Sequence, residues 1–210
     1  MNDGEKFQRA IQRFDEENSR DPHRVMVDGE SHPRELLYAR WLTEWLLKLS
    51  PGASEVLRLA ARSQHLCRWM IPRNSYDMTR AGYLRWRADL KKFHAGKSAE
   101  IFREIGYTDD VIQRVQDLNL KKGLGKDPEC QTLEDALCLV TLQYQLAELV
   151  SKTAPEKMVE ILAKTWTKMS PAAREHALRL PFPDREKGLV ERALGKSDAG
   201  NSGTTGRADG

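Results

Sequence analysis

The chain has 210 residues, and its 34 Lys and Arg against 31 Asp and Glu give a formal net charge of only +3. So small an excess does not by itself indicate a nucleic-acid-binding protein, whereas the length is enough for one domain with a sizeable core. No run of about 18 apolar residues is present, which argues against a membrane-spanning helix.

The three cysteines, Cys67, Cys130 and Cys138, form no CxxC pair. An odd number of cysteines without metal-ligand spacing favours reduced thiols in a reducing compartment. The N-terminal stretch is charged and carries no apolar signal core. We therefore expect a soluble, cytoplasmic protein.

Apolar residues recur with helical spacing along nearly the whole chain, and no alternating strand pattern competes with them. The first predicted helix is short and ends before a break at residues 21–33, which contains two prolines and a glycine. The next predicted helices cover residues 34–49, 53–69, 79–107 with a break near Gly96, 108–122, 128–150, 155–169 and 171–180.

Two helix starts have clear capping signals. Thr108 precedes two aspartates, which favour a helix N-terminus, and Asp127 is a good N-cap before a proline at the first helical position. The predicted fold class is all-α, a single-domain helical bundle over residues 1–195. Residues 196–210 are rich in Gly, Ser and Asp and have no apolar side chain larger than alanine, which predicts a disordered tail.

The stretch "LRLAARSQHLCRWMIPR", residues 57–73, contains the most informative group of polar residues. If its helix is continuous, Arg62, His65, Arg68 and Trp69 lie close to one face, because they are three or four residues apart. That face is either a solvated edge with an amphipathic tryptophan or one wall of a polar site.

A candidate metal site follows from residues on separate predicted helices. In chain order these are His32 or Glu35, then His65, His94 and Asp135, and imidazole and carboxylate ligands converging from several helices are how helical bundles bind metals. The alternative is structural: each histidine is an ordinary hydrogen-bonded side chain, and Asp135 interacts with a helix start. If the helix begins at Asp127-Pro128, Asp135 falls among leucines, where a carboxylate is costly unless it is paired or ligating.

A candidate anion site lies in residues 68–92, which carry seven cations and two anions with interleaved aromatic residues. Arginine forks bind phosphate bidentately, and aromatic planes stack on bases. The alternative is a solvated basic loop that is anchored to the core by its aromatic residues. The candidate phosphate-binding residues are Arg62, Arg68, Arg73, Arg80 and Arg87, and the candidate stacking residues are Trp69, Trp86 and Tyr83.

Residues 33–180 resemble an uncharacterised family that is known only as a domain of unknown function. The stretches that carry the resemblance are "ELLYARWLTEWL", "AARSQHLCRWMIPR", "RAGYLRWRADLKKFHA", "QTLEDALCLV" and "KTWTKMS". Fungal members are often labelled glutamyl-tRNA synthetase. The sequence does not support that activity, because it has no dinucleotide-fold strands or class I synthetase signatures and is too short.

The order of the polar residues is also similar to that in the HD-domain superfamily of metal-dependent phosphohydrolases. The resemblance implies that His32 or Glu35 is the first metal ligand, that His65 is the histidine of the His-Asp pair, and that Asp135 is the last ligand. His94 would match an additional histidine that some members use. The chain departs from the pattern at Leu66, where the superfamily has the aspartate that helps to hold the metal.

Together these features predict a phosphohydrolase that acts on a nucleotide or a small phosphorylated metabolite. Its divalent ion (Mn, Fe, Co or Zn) would be held by His65, Asp135 and either His94 or Glu35, and would activate a water. Glu134 or another free carboxylate would be the general base, and Arg68, Arg73 and Arg87 would bind the phosphate. The rival hypothesis is a non-catalytic helical module that binds an anionic ligand, RNA or an acidic protein partner.

Overall fold

The computed structural model describes residues 2–201, and it confirms the predicted all-α class. Contacts within the chain divide it into two compact units, and the boundary between Leu133 and Glu134 falls inside one helix. The predicted domain limits stay a prediction: the last helix extends to Asn201, and the rest of the predicted tail lies outside the described residues.

The first unit contains most of the polar residues of interest. Its elements are α1 (Asp3–Ser19), β1 (Arg24–Val27), β2 (Glu30–Pro33), α2 (Arg34–Leu49), α3 (Glu55–Ser63), two 3-10 turns (Arg68–Met70 and Arg73–Ser75), α4 (Arg80–Ile105), α5 (Asp109–Asn119) and the first half of α6 (Pro128–Val140).

The short helix α3 is the centre of this unit, since it packs against α1, α2 and α5. Its residues Leu57, Leu59 and Ala60 are fully buried, which is the environment that its apolar spacing predicts. Phe14 of α1 meets Phe102 of α4 edge to face, with ring centroids 5.3 Å apart. Aromatic pairs in this geometry add to the stabilisation from burial.

The break that was predicted at residues 21–33 is confirmed, and it contains a β-hairpin over residues 24–33 that the sequence analysis did not predict. Arg24 pairs with Pro33 and Val27 with Glu30 in an antiparallel register. Asp28 and Gly29 form the turn with φ of 50° and 83°. An Asp-Gly pair between short strands is a strong hairpin signal, because both positions of a type I′ turn need positive φ.

The prediction of one continuous helix through residues 53–69 is wrong. Helix α3 ends at Ser63, and Cys67 adopts a left-handed conformation with φ of 55°. The amide of Cys67 donates to Oδ1 of the buried Asn18, at 3.0 Å. This tertiary contact holds the chain in a turn, so Arg62, His65 and Arg68 do not share one helical face.

The break that was predicted near Gly96 does not occur, because α4 is one helix from Arg80 to Ile105. Gly96 is exposed and has open space around it. A glycine inside a helix is unfavourable by only about 1 kcal/mol relative to alanine. The buried residues Leu90, His94, Ile101 and Phe102 lie on both sides of Gly96, and their burial is enough to keep the helix intact.

The second unit is helical throughout its regular structure. After the end of α6 come a π-helical turn (Thr141–Gln145), α7 (Leu146–Lys152), α8 (Pro155–Lys168), α9 (Pro171–Leu178) and α10 (Asp184–Asn201). Helix α10 packs against α8 and α7. None of the helices in the described part of the chain is long and apolar enough to cross a bilayer.

Candidate functional site

The start of α2 presents a buried carboxylate. Helix α2 follows Pro33, which gives no side-chain cap. The cap comes instead from Asp21, whose Oδ2 accepts from the backbone amide of Glu35 at 3.0 Å while its Oδ1 accepts from the amide of His23 at 2.9 Å. Asp21 therefore fixes the backbone of Glu35 from the loop that precedes the hairpin.

The Glu35 carboxylate contacts two polar side chains of the turn that follows α3. Its Oε2 lies 3.6 Å from Nδ1 of His65, and its Oε1 lies 4.0 Å from Nε of Arg68. Glu35 is itself buried. A buried carboxylate is unfavourable unless charged or hydrogen-bonding groups surround it. We call Glu35, His65, Arg68 and His94 the Glu35 site.

His65 is oriented by two neighbours on α2. Its ring stacks on that of Tyr38, with centroids 4.4 Å apart and an interplanar angle of 18°, and its Nδ1 points at Glu35. Burial lowers the pKa of His65, and the positive charges of Arg68 and Arg87 lower it further, whereas Glu35 raises it. No hydrogen bond within residues 2–201 engages Nε2, so this nitrogen is available to a ligand.

His94, on α4, also lies near the His65 ring. Its Nδ1 is 2.8 Å from the carbonyl oxygen of Leu66, and the two imidazole centroids are 6.0 Å apart. Burial lowers the pKa of His94 to about 4. A carbonyl can only accept, so Nδ1 of the neutral ring carries the hydrogen and Nε2 carries the lone pair. Nε2 is buried and has no hydrogen-bond partner in the described chain.

Arg68 supplies a positive charge that is held in place. Its guanidinium lies 4.9 Å from the centroid of the Trp86 ring, and the indole Nε1 of Trp86 donates to the carbonyl oxygen of Ile71 at 2.9 Å. Burial lowers the pKa of Arg68, as do the positive charges of Arg87 and Arg34. Two further arginines thus act on a site with one carboxylate, so the local field favours an anion.

Two of the predicted phosphate-binding arginines make structural contacts. Arg62 forms a bidentate pair with Asp15, with both N···O distances 2.7 Å. Arg73 donates to the backbone carbonyls of Tyr76 and Asp77, at 3.0 and 2.7 Å. The donors of both side chains are therefore committed within the protein.

The other residues that were predicted to bind phosphate or to stack on a base lie partly at the Glu35 site and partly on the surface. Arg87 and Arg80 are exposed on α4, and Arg87 is close enough to His65 and Arg68 to lower the pKa of each. Trp86 is buried beneath Arg68, whereas Tyr83 is exposed with its ring centroid 5.8 Å from that of Trp86. Trp69 is half-buried in the first 3-10 turn.

The predicted metal ligands occupy different settings. Glu35, His65 and His94 lie together as described above. His32 is on the hairpin, with Nε2 3.7 Å from the Glu30 carboxylate. No group of three or more His, Cys, Asp or Glu side chains within residues 2–201 is arranged to hold a metal ion. The donors as placed do not fit a divalent ion.

Glu134 and Asp135, the predicted base and last metal ligand, belong to the second unit. Asp135 is buried, and its Oδ1 accepts from the backbone amide of Ser170, the N-cap residue of α9, at 2.9 Å. Glu134 is also buried, with Oε1 3.9 Å from Nζ of Lys168. The carboxylate of Asp135 is thus paired, as its apolar sequence context required.

Sequence reasoning missed two residues that shape the site. Tyr38 lies one helical turn after Glu35, so the three-residue spacing on α2 could have placed it beside whatever Glu35 contacts. Asp21 gave a weaker signal: it precedes a proline in a loop, and its role as a cap for α2 depends on the hairpin between them.

These features define an all-α protein in which a buried glutamate contacts a half-buried histidine and a half-buried arginine. The chain belongs to the family described as Domain of unknown function (DUF4202), whose model matches residues 8–190. No curated protein and no solved structure matches the chain.

Proposed function

We propose that the Glu35 site binds the phosphate group of a small phosphomonoester, such as a nucleotide or a phosphorylated metabolite, and hydrolyses it. The observation that carries this proposal is the contact of one buried carboxylate, Glu35, with both His65 and Arg68. The carboxylate orients an imidazole and an arginine side by side, and a surplus of positive charge surrounds them.

The chemistry assigns one role to each side chain. Arg68 binds the phosphate oxygens, because a guanidinium matches them geometrically and stays charged. His65, neutral because of its lowered pKa, accepts a proton at Nε2 from the attacking water, and Glu35 stabilises the imidazolium that forms. The water oxygen bonds to phosphorus, the ester P–O bond breaks, and the proton passes to the leaving oxygen. The products are an alcohol and inorganic phosphate.

The resemblance to HD-domain phosphohydrolases supports a phosphomonoester substrate, since two histidines that it implies as site residues, His65 and His94, lie in the Glu35 site. The HD-domain resemblance would also imply a bound divalent ion. The side chains as placed give it no set of three protein ligands, so the steps above use only the chain's own groups. The buried, reduced cysteines support a cytoplasmic location.

The proposal is tested by phosphate release from p-nitrophenyl phosphate and from nucleoside monophosphates, with ligand binding followed by calorimetry. We expect turnover by the native protein, and binding without turnover for His65→Asn. Arg68→Met should weaken binding about tenfold or more, in line with a charged hydrogen bond of about 1.5–3 kcal/mol.

A matched control is Arg103→Met, since Arg103 is an exposed arginine on the same helix as His94 and, among the described residues 2–201, forms a salt bridge only with the exposed Asp109. Its binding and turnover should match those of the native protein. Saturable binding without turnover in every protein would leave a non-catalytic anion-binding module. Binding that is equal in the native protein and in Arg68→Met would contradict the site itself.

A further inference from the structure

One face of α4 leads from the Glu35 site to the solvent. Tyr83, Arg87, Leu90 and His94 are four, three and four residues apart, so their side chains lie along one stripe of the helix. Leu90 and His94 are buried, whereas Tyr83 and Arg87 are exposed. The stripe that contributes His94 to the site therefore reaches the surface at Tyr83 and Arg87, which we call the site rim.

The Tyr83 ring is joined to the site through Trp86. Its centroid lies 5.8 Å from that of Trp86, and the guanidinium of Arg68 lies 4.9 Å from the centroid of the same indole ring. Trp86 is only 8% exposed, and its Nε1 donates to the carbonyl oxygen of Ile71, so it is a fixed platform for both neighbours. Tyr83 itself is 43% exposed, which leaves its ring available to a ligand that enters the site.

Arg87 carries an uncompensated positive charge at the site rim. Within residues 2–201 its guanidinium forms no salt bridge or hydrogen bond, whereas Arg62 and Arg114 are both paired with carboxylates. After burial, the positive charge of Arg87 is among the causes that lower the pKa of Arg68, so the two side chains are close. Two neighbouring guanidiniums attract a phosphate, because each can donate to its oxygens.

The spacing between the cationic and the aromatic parts limits the kind of ligand. Arg68 and Tyr83 both contact Trp86, but no cation–π contact within residues 2–201 joins them to each other. A ligand that engages both therefore needs a spacer between its phosphate and its flat ring. The ribose of a nucleotide is such a spacer, whereas an aryl phosphate has none and a sugar phosphate has no flat ring to stack.

We propose that the Glu35 site binds a nucleoside monophosphate, with the phosphate between Arg68 and Arg87 and the base stacked on Tyr83. Stacking on an aromatic side chain accepts any base, because every base has a π-face. Nucleotide binding of this kind rests on the proposed phosphate site and narrows its substrates from phosphomonoesters in general to nucleotides. Tyr83 is then a specificity-determining residue, which adds affinity for the base and none for the phosphate.

Calorimetry with the full chain measures the phosphate and the base contributions separately when the ligands are inorganic phosphate, ribose 5-phosphate, phenyl phosphate and adenosine 5′-monophosphate. The native protein should bind the nucleotide about tenfold or more tightly than ribose 5-phosphate, in line with the stacking of one base. Phenyl phosphate should bind no more tightly than ribose 5-phosphate. Tyr83→Leu should remove the preference for the nucleotide and leave the affinity for inorganic phosphate unchanged, and Tyr83→Phe should retain the preference. Arg87→Met should weaken the binding of all four ligands.

Leu84→Ala and Arg85→Met are the matched controls, since both residues are exposed on α4 but lie off the stripe that carries Tyr83 and His94. Both variants should bind the four ligands as the native protein does, and circular dichroism checks that every variant is folded.

Three results would overturn nucleotide binding and leave the phosphate site standing: no preference for the nucleotide over ribose 5-phosphate, a preference that Tyr83→Leu keeps, or phenyl phosphate bound as tightly as the nucleotide. A native protein that binds none of the four ligands would overturn both the phosphate site and nucleotide binding. Binding of the nucleotide that depends on Tyr83, without phosphate release, would support nucleotide binding and contradict only the hydrolysis.

Discussion

The imidazole Nδ1 of His94 donates a hydrogen bond to the carbonyl oxygen of Leu66 across 2.8 Å. This bond joins the middle of α4 to the turn that follows α3, and it fixes the tautomer of a histidine that is only 9% exposed. Leu66 occupies the position where the resemblance to HD domains would have an aspartate. Here the backbone of that residue, and not its side chain, meets a histidine of the site.

The lowered pKa of His94 makes stability depend on pH. Its pKa is about 4 in the folded chain and about 6.5 when the chain unfolds, so the unfolded state binds the proton first as pH falls. The stabilisation is present above pH 6.5 and is lost as pH falls towards 4. Unfolding by urea should show a loss of about 2 kcal/mol between pH 7 and pH 5 from this group.

His94→Asn should be less stable at pH 7 and should lose most of that pH dependence. The slope that remains comes from His65, whose pKa is also lowered by burial and therefore acts with the same sign. An unchanged slope in His94→Asn would show that His94 is not the group that titrates.

Glu35→Gln should lower the pKa of His65, because the carboxylate raises that pKa against the effects of burial and of Arg68. The imidazole resonances of His65, followed by NMR from pH 4 to pH 8, measure the change. The acidic limb of the pH–rate profile for phosphate release should move to lower pH together with the pKa of His65, and the maximal rate should fall. Glu16→Gln, at an exposed carboxylate on α1, should leave the pKa of His65 and the pH–rate profile unchanged.

Arg62→Met should destabilise the fold strongly, because it leaves Asp15 without its bidentate partner in a half-buried place. Removing one member of a buried pair typically costs about 3–5 kcal/mol, and the partial exposure of Asp15 puts the expected loss near the lower value. The matched change Arg179→Met breaks an exposed pair with Glu175 and should cost about 1 kcal/mol or less. Equal effects on the free energy of unfolding would contradict the structural role given to Arg62.

Gly82→Ala should disturb the loop before α4, since the added Cβ would overlap the carbonyl of Asp77. Overpacking of this kind typically costs about 1–3 kcal/mol. Gly96→Ala is the control on the same helix, because Gly96 has open space around it, and alanine should stabilise that position slightly. Thermal unfolding of the two variants should move in opposite directions.

Local signals in the sequence predicted the helices well where capping and apolar spacing agreed. Asp127 caps α6 through Oδ1, which accepts from the amide of Glu129 at 3.0 Å. Thr108 takes the N-cap position of α5 but makes no side-chain cap bond. The end of α3 was beyond prediction, because it depends on the buried Asn18 of α1, which binds the amide of Cys67 only in the folded chain.

The candidate site could be predicted only in part, because it also depends on contacts between residues that are distant in sequence. Glu35, His65 and His94 are residue types that could converge on one site, and they do lie together. Helical spacing predicts Arg62 and composition predicts Arg73 as anion ligands, but no sequence pattern shows that their guanidinium groups are occupied by Asp15 and by loop carbonyls. Partners that are distant in sequence decide whether an arginine is available to a ligand.

The most direct test of the central claim follows the His65 imidazole by NMR while inorganic phosphate is added to the full chain at pH 7. Phosphate bound beside Arg68 should shift the His65 resonances saturably and raise the pKa of His65, since an anion stabilises the imidazolium. Arg68→Met should remove the saturable shift, and Arg103→Met should keep it. His65 resonances that do not move, or that move equally with Arg68 absent, would contradict a phosphate site built on Glu35, His65 and Arg68.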